Sequence, residues 1–362
     1  MKAAKKALCL FLAGCMCLSL AGCGYRELYQ RLLIHGIGVD TAPDGFIVTV
    51  RSSMSPQDEG EEFFRCQGRS VLEALTNLSL STGREPFYSH NYLVVFGSGC
   101  ARQGLDSCLD FFVRYYNTRP AVQMFLAEGA AEEILSYEKD GKLLKMSELQ
   151  QLSDSGQTTG KALGAEILDF VNGVKREGSS PVLPVLRAGD AGVEVAATAY
   201  FDGYKSKGML SLEQTRGYLA AKGRLEKGEA VVSGGFGAVT LSLSKARGKI
   251  TPALEGGRPA FTITVEAQAD VSAVSGGRSR LDAAAYREIE GQAAQLIESE
   301  VLSALEQAVL KDRCDIFGFG NLLYRWSPAY WRSQGQDWPQ GMAACRYQVK
   351  ASVQVTRLAP DA

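Results

Sequence analysis

The sequence predicts an α+β protein: several mixed α/β modules, with a layered α/β region in the N-terminal half and a C-terminal antiparallel sheet packed against one long helix. Three observations predict this. Up to about residue 175, short runs of strand character alternate with amphipathic helical runs. From residue 193 onward, alternating apolar runs are separated by glycine-bearing turns. Finally, Ile289, Ala293, Leu296, Val301, Leu305 and Val309 draw one apolar stripe through Leu281 to Leu310, with glutamates on the other face.

Taken in order, Leu32 to Val39 reads as a buried strand ending at Asp40. The turn Ala42-Pro43-Asp44-Gly45 leads into Phe46 to Arg51, the return strand of a hairpin. Ser52 to Glu62 is a polar, solvated patch. Ser70-Val71-Leu72-Glu73 is a capping box that opens a helix to about Leu80, with Leu72, Leu75 and Leu78 as its buried stripe. Tyr92 to Phe96 is a short apolar strand. Leu105, Leu109, Phe112 and Tyr116 then recur at helical spacing within Cys100 to Tyr116, and Arg119-Pro120 stops the run. Ala121 to Ala127 is a strand and Ala130 to Tyr137 a helix. "SDSGQTTG" reads as a polar loop, Ala165 to Val174 as a helix, and "KREGSSPVLP" as a stretch rich in breakers. In the second half, Val193 to Phe201, Lys207 to Leu212, Glu229 to Gly235, Ala238 to Lys245 and Phe261 to Val274 read as strands of an antiparallel sheet. Tyr347 to Leu358 is the last strand. These readings divide the chain into residues 1–22, 23–185 and 193–358, with a boundary near 176–192 and a candidate internal division near 140–150. No fixed-period repeat is visible.

The first 22 residues have the parts of a secretory signal. Lys2, Lys5 and Lys6 form a positive start, Ala7 to Leu20 an apolar run, and Leu20-Ala21-Gly22 a set of small residues before a cut. The run is short for a permanent span, which needs ~20 apolar residues. Leu20-Ala21-Gly22-Cys23 looks like a bacterial lipobox, in which the Cys23 thiol takes a diacylglycerol and becomes the first residue of the mature chain. A thiol is the best side-chain nucleophile for making a thioether, and small neighbours let the backbone enter a peptidase cleft. Two acyl chains anchor stably where one would only dwell. The expectation is a tethered protein held to membrane lipid through Cys23.

Composition excludes several classes. A chain with 46% hydrophobic residues is ordinary globular material, and a net charge of -1 offers no electrostatic footprint for nucleic acid. Loss of the three signal lysines makes the remainder more acidic. Of nine cysteines, Cys66, Cys100, Cys108, Cys314 and Cys345 remain beyond the seam, an odd number with no C-x-x-C or zinc spacing, and each reads as a small core hydrophobe. His35 and His90 are the two histidines, so metal and Cys/His chemistry are poorly supplied. His90, beside Tyr88 and Asn91, has no partnered nucleophile and reads as structural. Gly318-Phe319-Gly320 and Ser233 to Gly237 match no phosphate loop, and G-x-S-x-G, S-x-x-K and H-E-x-x-H are absent. Glu132, Glu133 and the glutamates of the long helix read as solvated faces. The expectation is a protein with no catalytic residues and no cofactor.

Phe317 to Trp338 holds three tryptophans and two tyrosines. Trp326, Tyr330, Trp331 and Trp338 are the candidate partner or ligand surface, since aromatics enrich interface cores. The alternative is that they cap the long helix against the sheet. In the ligand reading the chain is a membrane-tethered solute-binding lipoprotein that uses residues 317–338.

Several blocks occur in an order that resembles one family. "LIHGIGVDTAPDGFIVTV" is similar to that family's strand-turn-strand opening, and the blocks from "GRSVLEALTNLSLSTGREPFYSHNYLVVF" through "FLAEGAAEEIL" and "LDFVNGVKREGSSPVLPVL" follow. "AAYFDGYKSKGMLSLEQTRGYLAAKGRLEKG" and "LKDRCDIFGFGNLLYRWSPAYW" are the most specific pieces. The chain thereby resembles the Ger(x)C germination lipoproteins, the C subunits of spore nutrient germinant receptors. Gly24-Tyr25 stands where the family commonly has Trp-Asp, and Cys314 where a small residue is more usual. The resemblance implies a non-enzymatic subunit anchored by Cys23 on the outer face of the spore inner membrane. It implies two membrane-spanning partners, the A and B subunits, and supplies no catalytic residues to transfer.

Overall fold

A computed structural model describes residues 31–53, 61–115, 122–276 and 281–356. Cys23, the signal segment, Tyr116 and Arg119-Pro120 lie outside the described residues.

The N-terminal half is built on a mixed sheet. Its strands are β1 (Arg31–Ala42), β2 (Gly45–Ser53), β3 (Glu62–Gly68), β4 (Glu85–Phe87), β5 (Leu93–Phe96) and β6 (Gln123–Ala127). A small hairpin of β7 (Glu138–Lys139) and β8 (Lys142–Leu143) stands apart, and β9 (Val182–Gly189), β10 (Gly192–Asp202) and β11 (Lys205–Leu210) complete the main sheet. The order is β11-β10-β9-β6-β5-β1-β2-β3, with β4 beside β1. The central pairs β1/β5, β5/β6 and β6/β9 are parallel, and antiparallel hairpins flank them on both sides. Central parallel strands are covered on both faces, which is why "YLVVF" is apolar without alternation. Val94 and Phe96 point into the main core, whereas Leu93 and Val95 point into a second core with Phe125, Ile134, Leu135 and Leu149.

The predicted antiparallel set therefore divides. Val193 to Phe201 and Lys207 to Leu210 continue the first sheet across the expected boundary, because β10 pairs with β9 from Val182 to Gly189. The chain after Leu210 forms a helix, Leu212–Ala221, in a stretch where no helix was expected. Ser211 and Gln214 close a full capping box at its start, so the signal was present.

The C-terminal sheet runs β12 (Lys227–Gly234), β13 (Gly237–Glu255), β14 (Arg258–Ser275) and β15 (Arg346–Thr356) in that order. Its first three strands are antiparallel, and β15 joins β14 in parallel. The long helix, Ala283–Leu305, is capped by Asp282 and ends in a π-helical turn, Glu306–Lys311. Ile289, Ala293, Val301, Leu305 and Val309 are buried as the stripe requires. The glutamates of this helix are not all solvated. Glu300 is buried against Arg216 of the helix Leu212–Ala221, and Glu298 and Glu290 accept the Ala351 and Val355 amides of β15 at 2.8 and 3.0 Å. Helix side chains thus satisfy the N–H groups along a strand edge.

Three local expectations change. The helix predicted from Cys100 is two helices, Ser98–Gln103 and Asp106–Arg114, because Gly104 adopts φ 125° between them. "SDSGQTTG" is a run of short helical turns rather than a loop. In Val71–Thr82, Ser70 caps the Glu73 amide as predicted, but Glu73 reaches the Arg69 amide, and Leu72 faces solvent while Val71 and Ala74 take its place inside.

Candidate functional site

The residues that distinguish the sequence meet at the seam between the halves. After the long helix, Arg313 adopts φ 58° and turns the chain into Asp315-Ile316-Phe317-Gly318-Phe319-Gly320. The Asp315 side chain folds back over its own loop. One carboxylate oxygen accepts the Gly318 and Phe319 amides at 2.7 and 2.9 Å; the other accepts the Gly320 amide at 2.7 Å and the Trp338 indole Nε1–H at 2.9 Å. Asp315 is 2% exposed. Burial raises its pKa above the usual carboxylate range, and the four donors oppose that rise.

The same loop clasps the first half of the chain. The Asp315 carbonyl accepts the Ser180 amide at 2.8 Å, and the Asn321 amide donates to the Gly178 carbonyl at 3.0 Å. "KREGSS" and "DIFGFG", far apart in sequence, are bonded in both directions. Lys222, which caps the helix Leu212–Ala221, donates to the Phe317 carbonyl at 2.8 Å.

The four aromatic candidates separate. Trp331 and Trp338 are buried, with ring centroids 5.6 Å apart; the Trp331 Nε1–H donates to Glu177 at 3.0 Å, and Trp338 packs edge-on against Phe261 of β14. Both indoles have spent their donors inside the protein, as buried tryptophans do. Tyr330 is half-buried, and burial pushes its phenol up. Trp326 faces solvent at 48% exposure. Beside the buried pair lies a cleft of about 590 Å³, bounded by Trp331, Trp338, Tyr324, Glu177, Arg313 and Arg332.

Elsewhere the polar side chains brace the fold. Asp40 accepts the Ala131 and Glu132 amides at 2.8 and 3.0 Å and so caps the helix Ala131–Leu135 from β1. Arg51 is fully buried; it donates to the Leu135 carbonyl at 2.6 Å and to Glu61 at 2.8 Å, and Glu61 also meets His35 at 3.1 Å. Glu61, which the sequence predicts to lie in a solvated patch, is drawn instead into this network because Arg51 has no solvent to carry its charge. His90 is exposed and touches Phe87.

The five described cysteines are all free thiols. Burial pushes Cys66 and Cys345 up to about 11 and Cys314 to about 12, and Cys108 is raised mainly by its hydrogen bond with Cys100. Thiols held protonated in this way are poor nucleophiles. Among the described residues, no three His, Cys, Asp or Glu side chains group as metal ligands, and no helix is long and apolar enough to cross a membrane.

Comparison with known proteins agrees with this arrangement. Residues 24–188 match the family described as the spore germination protein N-terminal domain, and residues 196–358 match the spore germination B3/GerAC-like C-terminal family. The chain is 24% identical over 359 residues to spore germination protein KC of Bacillus subtilis, covering 88% of this chain and 87% of that one. It is 21% identical over 356 residues to spore germination protein B3 of the same organism, covering 94% of each. The crystal structure of the GerBC protein superposes with a TM-score of 0.59 at 16% identity, over 89% of this chain and 97% of that chain. With both domain families matched in order and the fold shared, the chain belongs to the Ger(x)C family of spore germination proteins.

Proposed function

We propose that this chain is the lipid-anchored, non-catalytic subunit of a spore nutrient germinant receptor. In this reading it is tethered through Cys23 to the outer face of the spore inner membrane and acts with the membrane-spanning A and B subunits to trigger germination. The observation that carries the reading is the use of the family-specific motifs. Asp315, Gly318, Gly320 and Trp338 spend their polar atoms on each other and on the "KREGSS" loop, which suits a rigid coupling element better than a reaction centre.

The anchor would work through effective concentration. A tethered subunit has already lost much of the translational freedom that a soluble one loses on association, so modest contacts with its partners suffice. Signalling would then be a coupling between partner states, transmitted through two halves that share one continuous core. The test is solubilisation of spore inner membranes in mild detergent. Two multispanning proteins encoded beside this chain's gene should co-purify with it, and their consistent absence would sink the reading.

The cleft beside Trp331 and Trp338 favours a second reading, a tethered solute-binding lipoprotein. It requires saturable binding of a small molecule to the purified chain, and flat calorimetric titrations across candidate nutrients would remove it.

A further inference from the structure

Against Ile316, Phe317 and Gly318 of the "DIFGFG" loop, two adjoining clefts of about 370 and 240 Å³ share Arg176, Ser179 and Lys222. Arg224 lines the first and Arg325 the second. These four cations come from three separate segments. Arg176 ends the helix Ile167–Lys175, Lys222 ends the helix Leu212–Ala221 with Arg224 just beyond it, and Arg325 lies in the last turn of the helix Phe319–Trp326. A cation at a helix C-terminus is individually favourable. The convergence of three such ends on one recess is not explained by that preference, because it concentrates like charge.

The cations repel one another. Burial disfavours the charged form of the half-buried Lys222 most, Asp315 opposes it, and Arg224, Arg176 and Arg325 each add to the effect of burial. One carboxylate lines the recess, and a second, buried, acts on Lys222 from outside its lining. Asp315 is already held by four donors, and Asp169 is exposed on the rim of the larger cleft. Glu177, the nearest acidic residue in the sequence, is turned away to Trp331. Among the described residues none of the three guanidiniums forms an ion pair, although Arg224 lies near the Tyr218 hydroxyl and Arg325 donates to the Asn321 carbonyl.

We propose that Arg176, Lys222, Arg224 and Arg325 form a binding site for a phosphoryl anion at the seam between the two halves. Four cations against two carboxylates leave an excess that matches the charge of about -1.5 to -2 on a phosphate monoester better than the single charge of a carboxylate. Guanidinium groups bind phosphate oxygens in paired, directional hydrogen bonds, which a solvated Lys does not. The site is assembled only when residues 176, 222 to 224 and 325 are brought together, so occupancy stabilises the docked halves. The phosphoryl group is carried either by a lipid headgroup or by a free phosphate ester.

The test uses the full chain and its Arg176→Gln/Arg325→Gln variant. Both side chains are exposed, so the variant keeps the wild-type unfolding temperature in phosphate-free buffer; Arg224→Gln serves as an independent second variant. Inorganic phosphate is titrated at constant ionic strength while thermal unfolding is followed. In parallel, flotation compares vesicles of phosphatidylcholine with vesicles of equal parts phosphatidylcholine and phosphatidylglycerol, so that any contribution of an anchor cancels. A saturable phosphate-dependent rise in unfolding temperature, with the half-saturating concentration raised about tenfold or more in the variants, supports the site with a free phosphoryl ligand. Preference for the anionic vesicles that the variants lose supports it with a headgroup. No response to phosphate and no vesicle preference, or responses that the substitutions leave unchanged, overturns the proposal.

Discussion

The indole N–H of Trp338 donates to the carboxylate of Asp315 at 2.9 Å across 23 residues of sequence, with both side chains almost fully removed from solvent. The bond fixes the segment after the long helix to the loop that clasps the first half of the chain. Replacing Asp315 by Ala leaves three loop amides and one indole without an acceptor in a buried setting. The expected loss is about 3 kcal/mol or more in urea denaturation. Asp315→Asn fares little better, because one of its two terminal atoms becomes a donor facing donors.

Gly178 gives a backbone test of the same seam. It sits at φ 61°, and a Cβ there would lie 2.5 Å from the Gly320 backbone. Gly178→Ala is expected to cost about 1–3 kcal/mol and to increase proteolysis near residue 178, read by limited digestion. Gly141→Ala, at φ 71° but with open space around it, is the control and should show the smaller conformational cost alone.

The aromatic candidates should divide sharply. Trp331→Ala removes a buried ring packed on Trp338 and is expected to cost about 3–5 kcal/mol in thermal or chemical unfolding. Trp326→Ala, at an exposed ring, should stay within about 0.5 kcal/mol.

Much of this was legible in the sequence, and the parts that were not have physical reasons. Ser70 before an apolar stripe announced a helix, and the apolar positions from Ile289 to Val309 announced the long one, because each signal is local and periodic. The strand β3 escaped because "EFFRCQG" is only half-buried and carries weak alternation. The seam escaped for a different reason. Asp315 reads in sequence as one acid between a cysteine and an isoleucine, and nothing nearby reveals that Trp338 and three amides converge on it. Arg51 and Glu61 pose the same difficulty: Glu61 belongs to a polar run, and only the folded sheet brings it to a guanidinium with no solvent access.

That pair carries its own prediction. Glu61→Ala leaves the Arg51 charge buried with the Leu135 carbonyl as its remaining partner among the described residues, and the expected loss is about 3–5 kcal/mol. Double substitution of Arg51→Met with Glu61→Leu should recover a good part of it, as measured by urea midpoints.

Asp40 yields a pH dependence. Burial raises its pKa above the ordinary 3.8, against the pull of the two amides it caps. In the window above that ordinary value the folded chain holds a proton the unfolded chain has released. Asp40's contribution is therefore fully present below the window and declines as pH rises through the folded value. Asp40→Asn keeps an acceptor for one of the two capped amides and does not titrate, so its lost bond is a constant offset across the pH range. The stability of wild type relative to Asp40→Asn should fall as the pH is raised from the window's lower edge, and a rise would contradict the assignment.

The central claim is that the chain acts as a membrane-tethered receptor subunit, and nutrient-triggered germination of spores carrying Cys23→Ala tests it most directly. Spores should be scored by loss of optical density after nutrient addition, with the amount of variant protein checked and a non-nutrient trigger run alongside. A weak nutrient response with a normal non-nutrient response is the predicted result. A full nutrient response from spores that contain normal amounts of the variant would contradict the account.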